Sequence, residues 1–296
     1  MRFDCEPMAI LPEAVSSLVM MQAGMGPQAD EVPQPYLLSD ASGQPIEWSA
    51  AGQMSGTSGG LLAVIPLMGA LSPEGEYGGT PTTAFARAMA QADASAAVST
   101  ILIHARGPGG TVTGTPEAAD AVRAVRDGGR TRVVTIADAM MASATTWIGT
   151  AAEEVVITPS GQAGSIGVIT VYAERSKMLE EMGVKVDVIR NPSLKARFTG
   201  VEPLTEEMRA TMEESNLRAY NQFKRAMADN RKVRVDSVES RFGGGEMMSA
   251  EEAKEAGLVD RIATVDATLT RLLTRPQRRA PARSRAELAK ARLPID

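Results

Sequence analysis

Between residues 61 and 158 the chain alternates continuous apolar runs with segments of helical periodicity, and this alternation constrains the fold more than any other feature. Leu61–Leu67 reads as a buried strand, followed by a helix over Thr80–Ala92 with Pro81 in its first turn. Val98–His104 is a second buried strand, followed by a helix over Thr115–Asp127 that starts near Pro116 and Glu117 and stops at Gly128-Gly129. Arg132–Ile136 is a third, leading through Ser143 into an Ala-rich helical stretch that reaches Ala152; Glu154–Thr158 is a fourth. A strand that is apolar on both faces needs cover on both faces. Strands separated by helices at this pitch therefore predict an α/β fold of stacked βαβ units with mostly parallel pairing.

Farther along, Ile166–Tyr172 and Val184–Ile189 read as strands, the first after a turn at Gly161–Ser165, with a helix over Glu174–Met182 stopped by Gly183. Asn191–Pro203 reads as an irregular loop, Thr205 to about Asn230 as a long helix and Val233–Phe242 as a shorter one. A helix over Ser249–Ala256 is capped by Ser249, and Leu258–Ile262 reads as a last strand. Three regions follow. Residues 1–60 form an N-terminal arm and a Gly/Ser-rich linker, 61–262 a compact domain, and 263–296 a short helix and a basic tail. Within the arm, Pro12–Gln22 is amphipathic, suited to packing on a neighbour or to fraying. The tail, with Arg275, Arg278, Arg279, Arg283, Arg285, Lys290 and Arg292, reads as solvated or as ordered by an acidic partner.

A net charge of −5 argues against a nucleic-acid-coating role, so no nucleic-acid partner is expected. One cysteine and one histidine cannot build a zinc shell, and no cofactor is expected either. No apolar run has the length of a membrane span or the layout of a secretory signal, so the expectation is a soluble, cytoplasmic protein without a membrane anchor.

Ser143, in Ala142-Ser143-Ala144, stands where a strand turns into a helix. Unpaired N–H groups and the helix dipole favour negative charge there, which suits a nucleophile whose attack creates an oxyanion. The same position equally suits a plain N-cap serine. A Ser–His–Asp triad would have to use His104, at the end of the strand Ile101–Ala105, where a histidine is more often structural. Lysine is the other possible base, because a neutral amine can take a serine proton once burial disfavours its ammonium form. All seven lysines follow Ser143. Lys177, Lys185, Lys224, Lys232, Lys254 and Lys290 sit among other charges or in the tail, whereas Lys195 lies in a loop directly after a core strand, with no acidic residue until Glu202. Taken alone it could be an ordinary loop lysine. Pro108-Gly109-Gly110 lets backbone N–H groups approach a carbonyl with no Cβ in the way, as an oxyanion hole needs, and is also a good plain turn.

Asp138–Ala144, Gly164-Ser165-Ile166-Gly167-Val168, the Lys195 loop leading to Pro203-Leu204-Thr205, and Ala253–Asp260 occur in this order. Together they resemble the signal peptide peptidase A family of serine–lysine peptidases, including its phage branch of prohead (head maturation) proteases. The resemblance covers about residues 61–262. It implies a crotonase/caseinolytic-protease-like spiral of ββα units assembled into a homo-oligomeric ring. It implies Ser143 as nucleophile, Lys195 as general base and Ser165 as the hydroxyl that orients the lysine. The oxyanion-hole N–H groups would be those of Gly110 and Ala144, with Gly109 a further candidate. No lysine precedes Ser143, so the single-length arrangement is expected, with the lysine supplied by the same or a neighbouring protomer. Departures include Ala105-Arg106-Gly107 before Pro108, where the family usually has Asp or Asn with Ser; these bear on loop shape and specificity.

On this reading the substrate is an extended peptide with small apolar side chains, pairing with a strand beside Gly109-Gly110. The favoured role is cleavage of scaffold, portal or capsid protein inside an assembling prohead in a host cytoplasm. A soluble signal-peptide peptidase and an inactive ring-forming scaffold are the alternatives.

Overall fold

The computed structural model describes residues 7–10, 14, 33–38, 45–47 and 60–274. Their strands form an 11-stranded sheet. Its centre is parallel: β4 (Leu61–Ser72), β6 (Val98–Thr111), β7 (Arg132–Ala142), β8 (Glu154–Ile157) and the two-residue β11 (Arg261–Ile262) lie side by side. The short β5 (Gly78–Pro81) also runs parallel to β4. Antiparallel additions are β1 (Met8–Ile10) on β6, β2 (Tyr36–Leu38) on β4, β3 (Pro45–Glu47) on β2, and β10 (Met247–Ser249) on β9 (Gln162–Gly164). Parallel neighbours need crossovers, and the helices α1 (Thr82–Ala94) and α2 (Thr115–Gly128) supply them. The predicted α/β class with mostly parallel pairing is what the chain adopts.

Alternating residues of the central strands feed two cores. Ile101, Ile103, Ala105, Val133, Ala137 and Met141 face the layer that holds α1, α2 and α3 (Ala144–Gly149). Leu62, Val64, Leu102, Val134, Ile136 and Val156 face the other way, where Leu272 of α8 (Val265–Thr274) closes a smaller cluster. Arg132, Arg261 and Arg271 converge on Glu154 beneath that helix.

The cap read at Ser249 and the stop read at Gly183 hold, and the structure adds a cap at Thr205. Thr205 caps α5 (Glu206–Arg231) by accepting from Met208 N–H at 3.2 Å. Ser249 caps α7 (Ala250–Glu255) in a reciprocal capping box with Glu252. Gly183, at φ 74°, follows α4 (Ser176–Glu181). Of Val233–Phe242, one 3₁₀ turn and the short α6 (Val238–Arg241) are helical.

Three expectations fail, each for want of pairing knowledge. Gly161–Ser165, expected as a turn, holds β9, because the end of β7 swings over to ladder with Gln162–Gly164. Among the described residues, Ile166–Tyr172 makes only an isolated bridge at Ile169, and Val184–Ile189 forms no strand. A strand is a paired state, and among the described residues those runs lack a continuous partner. Finally, the expected linker 38–60 contains β3, which joins the main sheet through β2. Pro12–Gln22, apart from Ala14, and the tail from Arg275 lie outside the described residues.

Candidate active site

The site is made where two central strands part. β6 and β7 run in register from Thr100↔Arg132 to Ala105↔Ala137, then shift, with Gly107 opposite Met141. On its other edge β7 exchanges β8 for β9, so that Met141 lies between Gly107 and Ala163. Beyond Gly107 no β6–β7 pair follows, and β1 flanks β6 in place of β7; this gap at the carboxyl ends of the strands is the crevice, where sheets of this class place ligands. Ser143 sits at its apex. Its N–H donates to the Gly164 carbonyl at 2.8 Å, and its carbonyl accepts from Trp147 N–H at 2.9 Å, so the residue is fixed on both sides.

Ser143 has φ 54° and ψ −116°. A side-chain-bearing residue rarely occupies that region, and strain of this kind persists only where the surroundings over-determine it. A serine on a sharp strand-to-helix turn is the nucleophile-elbow geometry, which aims the hydroxyl away from the ladder. It is not a conventional N-cap: the side chain makes no cap hydrogen bond, and Ser143 Oγ is fully buried without a hydrogen-bond partner. An unpaired buried hydroxyl costs roughly 1–3 kcal/mol. That cost falls on the one serine the sequence singled out as a nucleophile. Ala144, the first residue of α3, has an N–H with no intrahelical acceptor.

The shelf under Ser143 is rigid. Thr146 Oγ1 donates to the Met141 carbonyl at 2.6 Å. Trp147 is wholly buried and stacks on Phe223 of α5, with ring centroids 4.5 Å apart. Asn230 of α5 donates to Thr150 Oγ1 at 3.1 Å and accepts from Arg123 of α2 at 3.2 Å. The partners of this shelf come from two helices far apart in sequence, α2 and α5, and the sequence reading missed them.

Gly109 and Gly110 are strand residues rather than a plain turn, opposite Ala70 and Leu71 of β4. Their lack of side chains is needed. A methyl group on Gly110 would overlap the Leu71 carbonyl; one on Gly109, at φ 106°, would overlap the Ala9 carbonyl and stand 2.9 Å from Ser143 Cβ. Val112 N–H donates to Pro7 on the crevice side of β6, so by strand alternation the N–H of Gly110 faces the same side.

His104 is committed elsewhere: its Nε2 lies 3.1 Å from Asp138 Oδ2. Since Ser143 Oγ has no partner, the single histidine makes no triad with it. Ser165 is nearly buried at φ 53°, next to Gly164, and its N–H donates to the Glu246 carbonyl at 2.8 Å. Lys195 stands apart. It is exposed in an irregular segment, its N–H bonded to the Pro192 carbonyl, and within one chain its amine does not reach Ser143 Oγ. The structure therefore brings Ser143, Ser165, Gly109, Gly110 and Ala144 to one crevice and leaves Lys195 outside it.

Lys195 belongs to an arm, residues 176–199, with little core of its own. Helix α4 buries none of its residues, and Ile189 is 96% exposed. The arm is anchored at its base: Arg175 N–H donates to the Gly200 carbonyl at 2.8 Å, Tyr172 Oη to the Glu202 carbonyl at 3.0 Å, and Arg190 pairs with Glu202. Lys185 and Asp187 form the solvated pair expected of them. Among the described residues, no helix is long and apolar enough to cross a membrane.

Comparison with known proteins agrees with this geometry. Residues 128–277 match the model of peptidase family S49. Protease 4 of Salmonella typhi is 30% identical over 213 residues, covering 71% of this chain and 34% of that protein. Capsid assembly protease C of Escherichia phage lambda is 27% identical over 256 residues, covering 84% of this chain and 56% of that one. A putative signal peptide peptidase SppA of Enterococcus faecium is 26% identical over 166 residues, covering 56% of this chain and 48% of that one. The chain thus spans between about a third and just over half of these relatives. With half of its length matched by the family model, around a serine on a strained elbow, the chain belongs to peptidase family S49.

Proposed function

We propose that the protein is a serine endopeptidase in which Ser143 attacks the substrate carbonyl and Lys195, supplied by a neighbouring copy, removes the serine proton. The observation that carries this reading is the buried, unpartnered Ser143 hydroxyl on a strained elbow, facing a crevice edged by Gly109-Gly110. The N–H groups of Gly110 and Ala144, with Gly109 beside them, would stabilise the oxyanion; removing one such donor typically raises the barrier by about 3 kcal/mol. Ser165, one residue past the Gly164 carbonyl that anchors Ser143, would orient the incoming amine. Exposure of Lys195, and of Met182, Ile189 and Leu194 around it, supports delivery in trans: an apolar arm with no core of its own finds one on another subunit. A ring of such copies, with the ββα spiral inferred from sequence for residues 61–262, is the assembly this requires.

The substrate class we favour is scaffold, portal or capsid protein in an assembling prohead, supported by the length of the match to the lambda protease. A soluble signal-peptide peptidase role is the second reading, supported by the protease 4 and SppA matches. Co-expression with a capsid protein encoded beside this chain separates them: the first role requires its Ser143-dependent cleavage, and intact capsid protein alongside cleaved signal peptides would replace it with the second. Lysine in trans has its own test. Ser143→Ala and Lys195→Ala should each be inactive alone, and mixing them should restore part of the activity, since mixed assemblies contain sites with both groups intact. No recovery on mixing, with Lys195→Ala alone still active, would remove Lys195 from the mechanism.

A further inference from the structure

The crevice is already filled, and by the chain itself. Met8–Ile10 lies between the Gly109–Thr111 edge of β6 and Ile169: Met8 pairs with Thr111, Ala9 with Gly110 and Ile10 with Gly109. Met8 exchanges both backbone hydrogen bonds with Ile169, at 2.9 and 3.0 Å, while the Pro7 carbonyl accepts from Val112 at 3.1 Å. The segment is thus a strand laddered on β6 along its length and pinned on its other side by the single bridge from Met8 to Ile169. Ala9 is fully buried and Ile10 nearly so. A methyl group imagined on Gly109 would stand 2.9 Å from both Ile10 Cα and Ser143 Cβ, so the segment passes directly over the serine and helps to bury it.

Polarity makes this informative. Going from Pro7 to Ile10, the segment runs antiparallel to β6 from Val112 down to Gly109, approaching Ser143 as it goes. A peptide that presents a carbonyl to Ser143 with its acyl side along β6 must run the same way. We propose that residues 7–10 are an internal occupant of the acyl side of the substrate cleft, bound in substrate polarity, and that they compete with external peptides. The cleft then takes extended apolar peptides with a small residue opposite Gly110, as Ala9 is. This rests on the peptidase reading of Ser143 for its meaning, though occupancy can be measured without cleavage.

The test uses the full chain and a labelled peptide of sequence Pro-Met-Ala-Ile. In a Ser143→Ala background, fluorescence anisotropy should show the peptide binding at least tenfold more tightly when Ala9→Glu is added, because a carboxylate cannot enter the buried Ala9 position. A second variant guards against misfolding: Met8→Cys with Ile169→Cys, in a Cys5→Ser chain, should lose peptide binding at least tenfold on oxidation and regain it on reduction. Equal binding with and without Ala9→Glu, together with indifference to oxidation, overturns the proposal. With Ser143 intact, Ala9→Glu should lower KM for a longer peptide in which Pro-Met-Ala-Ile is followed by further residues, which supply the leaving amine, and leave kcat unchanged. If Ala9→Glu improves binding yet no form of the chain cleaves the longer peptide, the occupant stands and the peptidase reading falls. If the wild type cleaves and Ala9→Glu changes neither binding nor KM, the occupant falls and the peptidase reading stands.

Discussion

The two regions that carry the expected dyad are built in opposite ways. The Ser143 shelf is the most completely packed part of the molecule. Ser143, Ala144, Thr145, Thr146, Trp147 and Ile148 are all fully buried, and helices α2 and α5 hold the shelf through Arg123, Phe223 and Asn230. The Lys195 arm exposes Met182 at 69%, Ile189 at 96% and Leu194 at 61%, and is held mainly at its base. A nucleophile on a strained turn needs a rigid surround to keep it there. A base delivered from elsewhere needs reach, and a surface that gains by docking. The chain folds the first requirement into its own core; on the proposed reading, the second would be met by an assembly.

Substitutions can break or sharpen this contrast. The largest effect is expected from the dyad itself. Losing a catalytic serine costs on the order of a million-fold in kcat in well-studied serine proteases, and Ser143→Ala should approach that without unfolding the chain, by steady-state peptide cleavage and circular dichroism. Trp147→Ala comes next: a wholly buried, stacked indole is removed, at about 3–5 kcal/mol by chemical denaturation. A loss below 1 kcal/mol would mean that the shelf is less rigid than its packing implies. Asn230→Ala strips partners from Arg123 and Thr150 and should cost about 1–3 kcal/mol.

Smaller again is Ser249→Ala, about 1 kcal/mol, which removes the cap of α7 behind β10 and so loosens the strand that backs Gly164. Here pH enters. Hydrogen bonds from the Ser249 backbone and hydroxyl hold the Glu252 carboxyl below its ordinary value of 4.5. A carboxylate with a depressed folded-state pKa stabilises the fold above that ordinary value and loses its contribution as pH falls through the depressed one. The difference between wild type and Ser249→Ala should therefore narrow on acidification below pH 4.5, by thermal melts across that range. Least affected in stability is Ile189→Ser on the arm, within about 0.5 kcal/mol for the isolated chain. If the arm docks on a neighbour, the same change should nonetheless weaken assembly by sedimentation velocity; unaltered assembly would detach the arm from that role.

The contrast also tracks what could be read in advance. Leu61–Leu67, Val98–His104 and Arg132–Ile136 were legible as strands because their apolar runs are continuous, and Ser249 as a cap because capping is local chemistry. Ser143 was legible as a junction for the same reason. The strand at Gln162–Gly164 was not, since nothing in Gly161-Gln162-Ala163-Gly164-Ser165 announces that the end of β7 will come to meet it. Val184–Ile189 has the composition of a strand and lacks a ladder, because composition cannot supply a neighbour.

By itself, then, the sequence determined the local elements, their alternation, and with them a parallel sheet ending in a serine at a helix start. Hydrophobic periodicity and end-capping act over a few residues, so they are written where they operate. Only the tertiary structure decided which edges meet: the parting of β6 from β7, the twist that leaves the Ser143 hydroxyl without a partner, and Met8–Ile10 lying across it. Those depend on backbone hydrogen bonds between segments that lie tens of residues apart for β6, β7 and β9 and a hundred or more for Met8–Ile10, and every residue but proline offers the same N–H and C=O for making them.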